Sequence, residues 1–421
     1  MNSTLFFSGT ALLVLLSTYV AALIVFRLRD GIVDLRYEKL EIALLKERLR
    51  LALVAGGKQG ASGAVREGAW QGWRKFVIKK KVAETNDISS FYLEPHDGRE
   101  LPAFLPGQYL TFQLRIPGQA KPVTRCYSLS QSPEQIQSYR VSIKRLGPPP
   151  KQPDVPPGIG SGHFHGNLNE GDIVDVKAPS GHFHLDVEHQ GPVVLIGGGI
   201  GLTPVMSMLD YIADTGSQRE TWFFYGLNNS SEHVMAEHLR EIELQHPNVN
   251  LVVCYSRPLD KDMLGVDYEI PGHVSVDLFK KLLPSNNYHY YLCGPPPMMD
   301  SVTEGLREWG VPDDCVHFEA FGPATVKKVV TEQEDNVDHE VNFVRSSKKL
   351  KWDNSSGSLL EFAEKNDIPM DSGCRAGNCG TCLTAIRSGK IEHVSPTGME
   401  VEKGSCLACI AVPRSSIDVD A

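Results

Sequence analysis

The sequence Asp371-Ser-Gly-Cys374-Arg-Ala-Gly-Asn-Cys379-Gly-Thr-Cys382, followed later by Cys406-Leu-Ala-Cys409, sets the architecture of the C-terminal part of the chain. The spacing Cys-x4-Cys-x2-Cys with a distant fourth cysteine is typical of a plant-type [2Fe–2S] cluster. Gly373, Gly377 and Gly380 suit such a loop, because glycine adopts positive φ and can turn backbone N–H groups toward sulfide. Four structural cysteines or a zinc knuckle are the alternatives, but zinc ligands usually come as paired Cys-x2-4-Cys elements. The spacing therefore favours the iron–sulfur cluster.

The composition of the whole chain is that of an ordinary globular protein. The chain has 421 residues, of which 41% are hydrophobic and 22% charged, which predicts two or three domains. The formal net charge of -9 gives no general support for nucleic-acid binding. The nine cysteines do not resemble a disulfide framework, so a reducing compartment is expected.

The N-terminus carries an uncharged apolar run, Leu5 to Phe26, that ends at Arg27. As a helix it would measure about 33 Å, enough for the ~30 Å hydrocarbon layer of a bilayer. A cleavable signal peptide is the alternative, but residues 1–4 contain no Lys or Arg and no small-x-small cleavage site comes after the run. Seven Lys or Arg residues in 27–50 favour a cytoplasmic location for the rest of the chain. We therefore expect a single-pass protein of the cell membrane with cytoplasmic catalytic domains and the lipid bilayer as one partner.

The remaining chain divides by composition and hydrophobic pattern into five further segments. Residues 32–54 have helical apolar spacing, typical of a membrane-surface stalk or a short coiled coil, and 55–68 are a Gly-, Ala- and Ser-rich tether. Short β-branched and aromatic runs then predict an antiparallel barrel, and after Pro192 strands alternate with helices as in a doubly wound parallel sheet. The predicted segments are a transmembrane anchor at 1–30, stalk and linker at 31–69, barrel at 70–188, nucleotide domain at 189–325, linker at 326–340 and cluster domain at 341–421. The helices predicted in the nucleotide domain are Thr203–Asp214, Glu232–Leu244 and Val276–Leu283.

Two motifs in the barrel have side chains suited to a flavin nucleotide. In Arg125-Cys-Tyr-Ser128, arginine offers a fork of donors to phosphate, tyrosine a flat face to a ring, and serine a hydroxyl. Strand alternation places Arg125 and Tyr127 on one face. Gly160 and Ser161, in Pro157-Gly-Ile-Gly-Ser161, precede a short helix and could present backbone N–H groups to a pyrophosphate, although a plain glycine turn is the alternative.

The nucleotide domain carries its motifs after the first and last strands. Ile196-Gly-Gly-Gly-Ile-Gly-Leu-Thr-Pro204 would let phosphates approach a helix N-terminus. It departs from Gly-x-Gly-x-x-Gly, and the usual acidic residue at the end of the second strand is missing from Tyr225-Gly-Leu-Asn228. Cys293-Gly-Pro-Pro-Pro-Met298 lies at the edge where such sheets bind ligands, so Cys293 could sit beside a nicotinamide or be a buried thiol. Glu319-Ala-Phe321 could return an aromatic ring to the flavin.

Together these motifs resemble the ferredoxin–NADP reductase superfamily, in particular flavohaemoglobin-like reductase modules and iron–sulfur oxygenase reductases such as phthalate dioxygenase reductase. The resemblance runs from about Trp70 to the C-terminus. It implies an α+β and α/β multidomain fold with a flavin-binding β-barrel, a parallel-sheet nucleotide domain and a β-grasp ferredoxin domain. One transmembrane helix, expected from the apolar run at Leu5 to Phe26, would precede these domains. It implies catalytic roles for Tyr127, Ser128 and Cys293. The cofactor-binding residues that it implies are Arg125, Tyr127, Ser128, Gly160, Ser161, Gly199, Gly201, Thr203, Pro204, Ser256, Arg257, Cys293, Gly294, Pro295 and Phe321.

The resemblance also implies the cofactors. FAD is expected rather than FMN because of the Gly160-Ser161 turn, although the phthalate-type reductase carries FMN. Ser256-Arg257 occupies the place where NADPH-specific relatives hold the 2′-phosphate, but NADH-using relatives carry it too, and no further basic cluster comes after the second strand. NADH is therefore expected, with NADPH as the alternative. The cluster ligands are expected to be Cys374, Cys379, Cys382 and Cys409. Cys406 and Cys409 would face opposite sides of a strand, and the family pattern Leu-x-Cys-x-x-x-Pro selects Cys409.

These parts predict electron transfer from NAD(P)H through a flavin, which handles both two- and one-electron steps, to the cluster. The expected acceptor is a protein oxygenase, desaturase or similar partner at the membrane. Alternatives are a quinone reductase acting in a respiratory chain, and a redox sensor whose reductase part is inactive. Two histidine pairs, His163-Phe-His165 and His182-Phe-His184, would each share one face of a strand, but neither has a third ligand at fixed spacing, so a metal site is not expected.

Overall fold

A computed structural model of the protein describes residues 70–119, 121–135, 137–148, 157–321, 339–352, 356–377, 380–395, 397 and 401–421. The predicted transmembrane helix, stalk and tether (1–69), most of the predicted linker and Cys379 lie outside these ranges. Within them, no helix combines the length and apolar character needed to cross a bilayer.

The first part of the described chain is a six-stranded antiparallel barrel, as predicted. Its strand order is β4-β3-β6-β1-β2-β5, and a bridge between Leu129 and Val141 brings the β4 end back to β5. Closure protects the edge strands and buries one face of the sheet, so Phe76 and Ile78 of β1 are fully buried whereas Lys75 is exposed. The strands are β1 (Arg74–Ala83), β2 (Ile88–Pro95), β3 (Tyr109–Leu114), β4 (Val123–Ser128), β5 (Tyr139–Lys144) and β6 (Ile173–Ser180), with helix α1 (Ile159–Gly166) between β5 and β6.

The two histidine pairs do not lie on strands, so that expectation was wrong. His163 and His165 are in α1, where residues two apart point to nearly opposite sides of the helix. Phe164 between them packs edge-on against Phe91 and Phe112 of the barrel, at centroid distances of 5.1 and 5.3 Å. His182 and His184 come after β6 in an irregular segment. Alternation of side chains therefore gives neither pair a common face.

The second part is a six-stranded sheet in which every pairing is parallel, also as predicted. The order β10-β9-β8-β7-β11-β12 places the direction switch between β7 and β11. Ligands of doubly wound sheets bind at the carboxyl ends of the strands flanking this switch. The strands are β7 (Val193–Gly198), β8 (Thr221–Leu227), β9 (Val249–Tyr255), β10 (Ile270–Pro271), β11 (His289–Cys293) and β12 (Val316–Glu319). The helices are α2 (Leu202–Asp214), α3 (Ala236–Gln245), α4 (Val276–Leu282) and α5 (Pro296–Glu308).

Two details of this domain differ from the sequence expectation. The helix expected from Glu232 begins at Ala236, because residues 230–232 form a 3-10 turn and Met235 has a positive φ of 55° that interrupts the helix. Helix α5 was not predicted. Its start, Pro296, comes soon after the end of β11, and proline in the first turn is favourable because the N–H it lacks would have no helical partner there.

The C-terminal part is a mixed sheet packed on one helix. Its order is β14-β13-β19-β15-β17, with β13 and β19 parallel, and a second ribbon pairs β16 with β18. Ser358 and Glu361 form a capping box that starts the helix, which buries Phe362 against Trp352. This arrangement agrees with the predicted β-grasp domain. Its elements are β13 (His339–Phe343), β14 (Lys348–Trp352), α6 (Leu359–Lys365), β15 (Leu383–Ser388), β16 (Ile391–His393), β17 (Ser405–Leu407), β18 (Ala411–Pro413) and β19 (Ile417–Val419).

Candidate functional site

The barrel brings Arg125, Tyr127 and Gly160 together. A Cβ atom on Gly160, in the first turn of α1, would lie 2.8 Å from Arg125 Cγ and 3.2 Å from Tyr127 Oη. Both side chains therefore reach the same end of α1 from the same face of β4, as strand alternation predicts. Burial lowers the pKa of Arg125 and raises the pKa of Tyr127. The corner thus combines a guanidinium, a half-buried phenol and a close-packed glycine.

The N-terminus of α1 has no side-chain cap, since Gly158 occupies the cap position. Uncapped N–H groups at such an end suit a phosphate. The Ser161 hydroxyl donates to Gly158 O at 3.2 Å and accepts from Leu146 N at 3.1 Å, so it holds the turn. His163 Nδ1 is buried without a hydrogen-bond partner, which is the kind of group that a bound ligand or water satisfies. These features fit a flavin nucleotide held by Arg125, Tyr127 and the α1 turn.

Ser128, Cys293 and Glu319 meet where the barrel joins the parallel sheet. Ser128 Oγ donates to Glu319 Oε2 at 3.2 Å. Cys293 and Glu319 are register partners at the carboxyl ends of β11 and β12. Burial raises the pKa of Glu319 to about 8, and the hydrogen bond from Ser128 partly opposes this. Burial also raises the pKa of the Cys293 thiol. At neutral pH this site therefore holds a neutral acid and a neutral thiol.

Glu319 is a candidate functional residue that the sequence patterns did not single out. In the segment Glu319-Ala-Phe321 the sequence favours a role only for the aromatic ring, which the structure places half-buried against the core of the parallel sheet. A signal was available, because a carboxylate that ends a buried strand at the ligand-binding edge rarely stays charged without a partner. The position of Ser128 as that partner could not be inferred from the sequence.

The two glycine turns of the nucleotide domain pack directly on each other. A Cβ on Gly201 would collide with the carbonyl of Cys293, and one on Gly198 would lie 2.7 Å from Pro295 Cδ. Gly199 has a positive φ of 52°. The turn continues into α2, which contains Thr203 and Pro204 in its first turn, and Gly294 lies in the facing turn beside Gly198. The structure therefore assembles these predicted residues at the switch point of the sheet, where the ligands of such sheets bind.

Ser256 and Arg257 come directly after β9 at the same edge of the sheet. Arg257 Nη2 donates to Asn228 Oδ1 at 2.8 Å, and Ser256 Oγ donates to Leu227 O at 3.2 Å. Both predicted residues thus contact the chain at the end of β8.

The cysteine loop of the C-terminal domain gathers its described thiols. Cys382 Sγ and Cys409 Sγ lie 3.2 Å apart and both residues are buried. Cys374 Sγ accepts from Ala376 N at 3.4 Å. Gly377 and Gly380 have the predicted positive φ, whereas Gly373 does not. No cluster of three or more metal-binding side chains is complete among the described residues, which exclude Cys379. Two adjacent buried thiols on a positive-φ loop fit a thiolate-bound cluster.

Cys406 and Cys409 are separated by a turn rather than by strand alternation. Cys406 lies in β17 opposite Thr384, whereas Cys409 lies in the turn after β17 ends at Leu407. Cys406 and Cys409 therefore do not lie on opposite faces of one strand, and that expectation was wrong. The structure nevertheless places Cys409 Sγ within 3.2 Å of Cys382 Sγ, as expected for two ligands of one cluster.

The C-terminal domain also reaches toward the barrel. Arg375, next to Cys374, pairs with Glu364 on α6, its Nη1 lying 2.9 Å from Oε2. Arg375 lowers the pKa of Arg125 and Glu364 raises it, after the larger effect of burial. The cysteine loop therefore lies within electrostatic range of the Arg125 corner.

Three family profiles match the chain in the order of its domains. They are the oxidoreductase FAD-binding domain over residues 75–185, the oxidoreductase NAD-binding domain over 195–304, and the 2Fe-2S iron-sulfur cluster binding domain over 344–414. FAD, NADH and a [2Fe–2S] cluster are thus the cofactors of this chain.

Individual relatives agree with this organisation. The flavohemoprotein of Bacillus cereus is 39% identical over 262 residues, which are 62% of this chain and 64% of that protein, so the chain spans less than two-thirds of that relative. The structure of phthalate dioxygenase reductase, described as a modular structure for electron transfer from pyridine nucleotides to [2Fe-2S], is 27% identical with a TM-score of 0.54. That match covers 83% of this chain and 98% of the other.

A third relative covers the flavin and nucleotide domains alone. It is the flavohem-like FAD/NAD-binding domain of nitric oxide dioxygenase from Vibrio cholerae, which is 32% identical with a TM-score of 0.52, over 59% of this chain and 99% of that domain. The chain therefore belongs to the family of flavohaem-like FAD/NAD-binding oxidoreductases, carries a [2Fe–2S] domain in addition, and is an NAD(P)H-dependent reductase.

Proposed function

We propose that the protein is a membrane-anchored reductase that passes electrons from NADH, through FAD and the [2Fe–2S] cluster, to an oxygenase, desaturase or similar protein at the bilayer. The observation that carries this proposal is the succession of FAD-binding, NAD-binding and [2Fe–2S] domains in one chain, whose barrel and parallel sheet meet at the hydrogen bond between Ser128 and Glu319. Phthalate dioxygenase reductase shares this three-domain organisation and is named for a dioxygenase, which supports an oxygenase as acceptor.

In this proposal each domain holds one group. Arg125, Tyr127 and the α1 turn at Gly160 bind the flavin, the turns at Gly201 and Gly294 bind the nicotinamide nucleotide, and Cys374, Cys379, Cys382 and Cys409 bind the cluster. A flavin accepts two electrons together and releases them singly, which a nicotinamide donor and a one-electron cluster require. The chain's own contribution is to align the bound groups. Because Gly201 has no Cβ atom, which would collide with the Cys293 carbonyl, the two nucleotide turns can approach each other closely.

Ser128, Cys293 and Glu319 control charge and protons at the junction. Burial raises the pKa of Glu319 to about 8, so near neutral pH its carboxyl carries a proton that the Ser128 oxygen can share. The neutral Cys293 thiol fills the space beside it without adding charge. The junction can therefore hold or supply one proton at a carboxyl oxygen while it excludes water.

The membrane part of the proposal rests on the sequence alone. The apolar run from Leu5 to Phe26 and the basic residues after it support an anchor with the catalytic domains in the cytoplasm. Such tethering would confine the cluster to a layer near membrane-bound acceptors.

Anaerobic reduction of the full-length protein in detergent tests the electron path. NADH should bleach the flavin absorbance and then the cluster absorbance, and the reduced protein should pass electrons to cytochrome c, a one-electron protein acceptor. Rapid turnover with a soluble quinone and none with cytochrome c would instead favour the quinone-reductase alternative. Failure of NADH and NADPH alike to reduce the cluster would refute the proposal.

Cell fractionation tests the anchor. The full chain should sediment with membranes and resist extraction by high salt, because apolar insertion is insensitive to ionic screening. A variant lacking residues 1–69 should remain in the soluble fraction. A full chain that is released by salt would show that there is no transmembrane anchor.

A further inference from the structure

The carboxyl ends of β8 and β9 form a polar corner beside the predicted nucleotide site. These are adjacent strands in the parallel sheet, and their continuations stay paired, since Arg257 N donates to Asn228 O at 2.8 Å. In dinucleotide-binding sheets an acidic residue after the second strand recognises the ribose 2′-hydroxyl. The residue directly after β8 is Asn228, which cannot fill that role as an acid.

The structure places an acidic group at this corner by another route. Glu232 lies in the 3-10 turn after β8, and its carboxylate folds back onto Asn228. Asn228 Nδ2 donates to both oxygens of Glu232, at 3.0 Å each, and Asn228 N approaches Oε2 at 3.4 Å. The carboxylate is therefore fixed next to the strand end although it is four residues further along the chain.

Asn228 also engages a basic side chain of the corner. Its Oδ1 accepts from Arg257 Nη2 at 2.8 Å and from Ser256 Oγ at 3.3 Å. The orientation of the amide is fixed, because a guanidinium only donates and a carboxylate only accepts. Glu232, Asn228 and Arg257 thus form a single chain of hydrogen bonds across the two strand ends.

This arrangement opposes the recognition of a 2′-phosphate. A phosphate dianion needs free guanidinium donors and an electropositive surround. Here one Arg257 nitrogen is committed to Asn228, and a carboxylate with the same sign of charge as the phosphate shares the network. A ribose diol, in contrast, can donate to that carboxylate.

We propose that Glu232 is a specificity-determining residue that, positioned by Asn228, excludes NADPH and favours NADH. This inference rests on the proposed function, in which a nicotinamide dinucleotide binds at this edge of the sheet. The residue that discriminates between NADH and NADPH then lies outside the Ser256-Arg257 pair. This explains how an NADH-using enzyme can carry an arginine at position 257.

The test compares kcat/KM for NADPH and NADH in the FAD-loaded, full-length protein with ferricyanide as acceptor. Wild type should prefer NADH, and Glu232→Gln should raise the NADPH/NADH ratio by roughly tenfold or more, because it removes one repulsive charge but keeps a hydrogen-bonding group. The matched control is Glu237→Gln, an acid in the first turn of α3, which should leave the ratio unchanged.

A double variant distinguishes the loss of charge repulsion from a general loss of order at the nucleotide site. In the Glu232→Gln background, Arg257→Ala should abolish the gain in NADPH use, since the remaining donors of the Arg257 guanidinium are what would bind the phosphate. Flavin content and NADH turnover report whether each variant is folded, and Glu232→Asp, which keeps the charge, should retain the NADH preference.

The outcomes are distinct. A wild type that prefers NADPH, or a folded Glu232→Gln variant whose ratio does not move, overturns this inference and leaves the proposed electron path standing. A wild type that oxidises neither coenzyme overturns the proposed function and this inference with it.

Discussion

Ser128 Oγ and Glu319 Oε2 lie 3.2 Å apart although 191 residues separate them, and this hydrogen bond joins the end of the barrel strand β4 to the end of the last parallel strand. Glu319 is 5% exposed, so its carboxyl depends on Ser128 for the partner that water would otherwise supply. The contact links the domain that binds the flavin to the domain that binds the nucleotide. The charge state of the Glu319 carboxyl therefore affects both domains.

Glu319 should make the protein less stable as the pH rises. Burial raises its pKa from 4.5 to about 8, so between these values the folded state keeps a proton that the unfolded state loses. Stability from this group is fully present below pH 4.5 and falls as the pH rises through 8, by at most about 1.4 kcal/mol per pH unit. Thermal unfolding across the range from weakly acidic to weakly alkaline pH should show this decline in wild type and not in Glu319→Gln. An equal decline in both proteins would contradict the prediction, and Glu237→Gln serves as the charge-matched control.

Gly160 should be needed for flavin binding because of what surrounds it. A Cβ there would lie 2.8 Å from Arg125 Cγ, so Gly160→Ala must displace the side chain that we propose binds the flavin phosphate. Overpacking of this kind costs about 1–3 kcal/mol, and we expect flavin affinity to fall correspondingly in a fluorescence titration. Gly162→Ala is the control, since it makes the same change in the same helix with nothing within 4 Å of its Cβ. Equal affinity in the two variants would show that the packing at Gly160 is unimportant.

Local patterns in the sequence were sufficient for the elements and for contacts within one strand or turn. Alternation in β4 placed Arg125 and Tyr127 together, and the glycine spacing placed a turn after β7 that faces Cys293. Both depend on neighbouring residues and on the general rule that ligands bind at the carboxyl edge of a parallel sheet. The barrel and the doubly wound sheet are predictable from the same periodicities, whereas the β-grasp fold was expected from the cysteine spacing and the family resemblance.

Contacts between distant residues could not be predicted in this way. Nothing near Glu319 points to Ser128, and nothing near Asn228 indicates that Glu232 would fold back onto it, because that depends on a 3-10 turn and the positive φ of Met235. The strand assigned to His163 and His165 failed for a related reason. Phe164 between them is drawn into the barrel core, and a helix buries it while keeping the backbone hydrogen-bonded.

A histidine pair at the start of β11 and β12 should destabilise the protein at acidic pH. His289 Nδ1 lies 3.3 Å from His317 Nε2 with the rings 7° from parallel, so one nitrogen donates a proton and the other accepts it. Burial, followed by charge repulsion from His189 in one case and from the partner ring in the other, lowers the pKa of both. The unfolded chain therefore takes up protons first as the pH falls below about 6.5, and stability decreases there.

The pair of His289 and His317 can be tested with glutamine, which forms hydrogen bonds but does not titrate. His317→Gln should remove part of the fall in melting temperature between neutral and weakly acidic pH, whereas His96→Gln, at an exposed position, should leave it unchanged. Asp186, Arg219 and Asp314 also act on His289, so some pH dependence should persist in the variant. A variant with the full wild-type fall would refute the assignment to this pair.

Cys409 rather than Cys406 should be the fourth ligand of the cluster. Cys409 Sγ lies 3.2 Å from Cys382 Sγ, close enough for both thiolates to bind one cluster, whereas Cys406 is held in β17 opposite Thr384. Cys409→Ser should abolish the visible absorption and the electron paramagnetic resonance signal of the reduced cluster, while the flavin spectrum persists. Cys406→Ser, a buried thiol changed in the same way nearby, should keep both cluster signals. The reverse result would mean that the chain turns after β17 to present Cys406 instead, and would require a different path for residues 405–410.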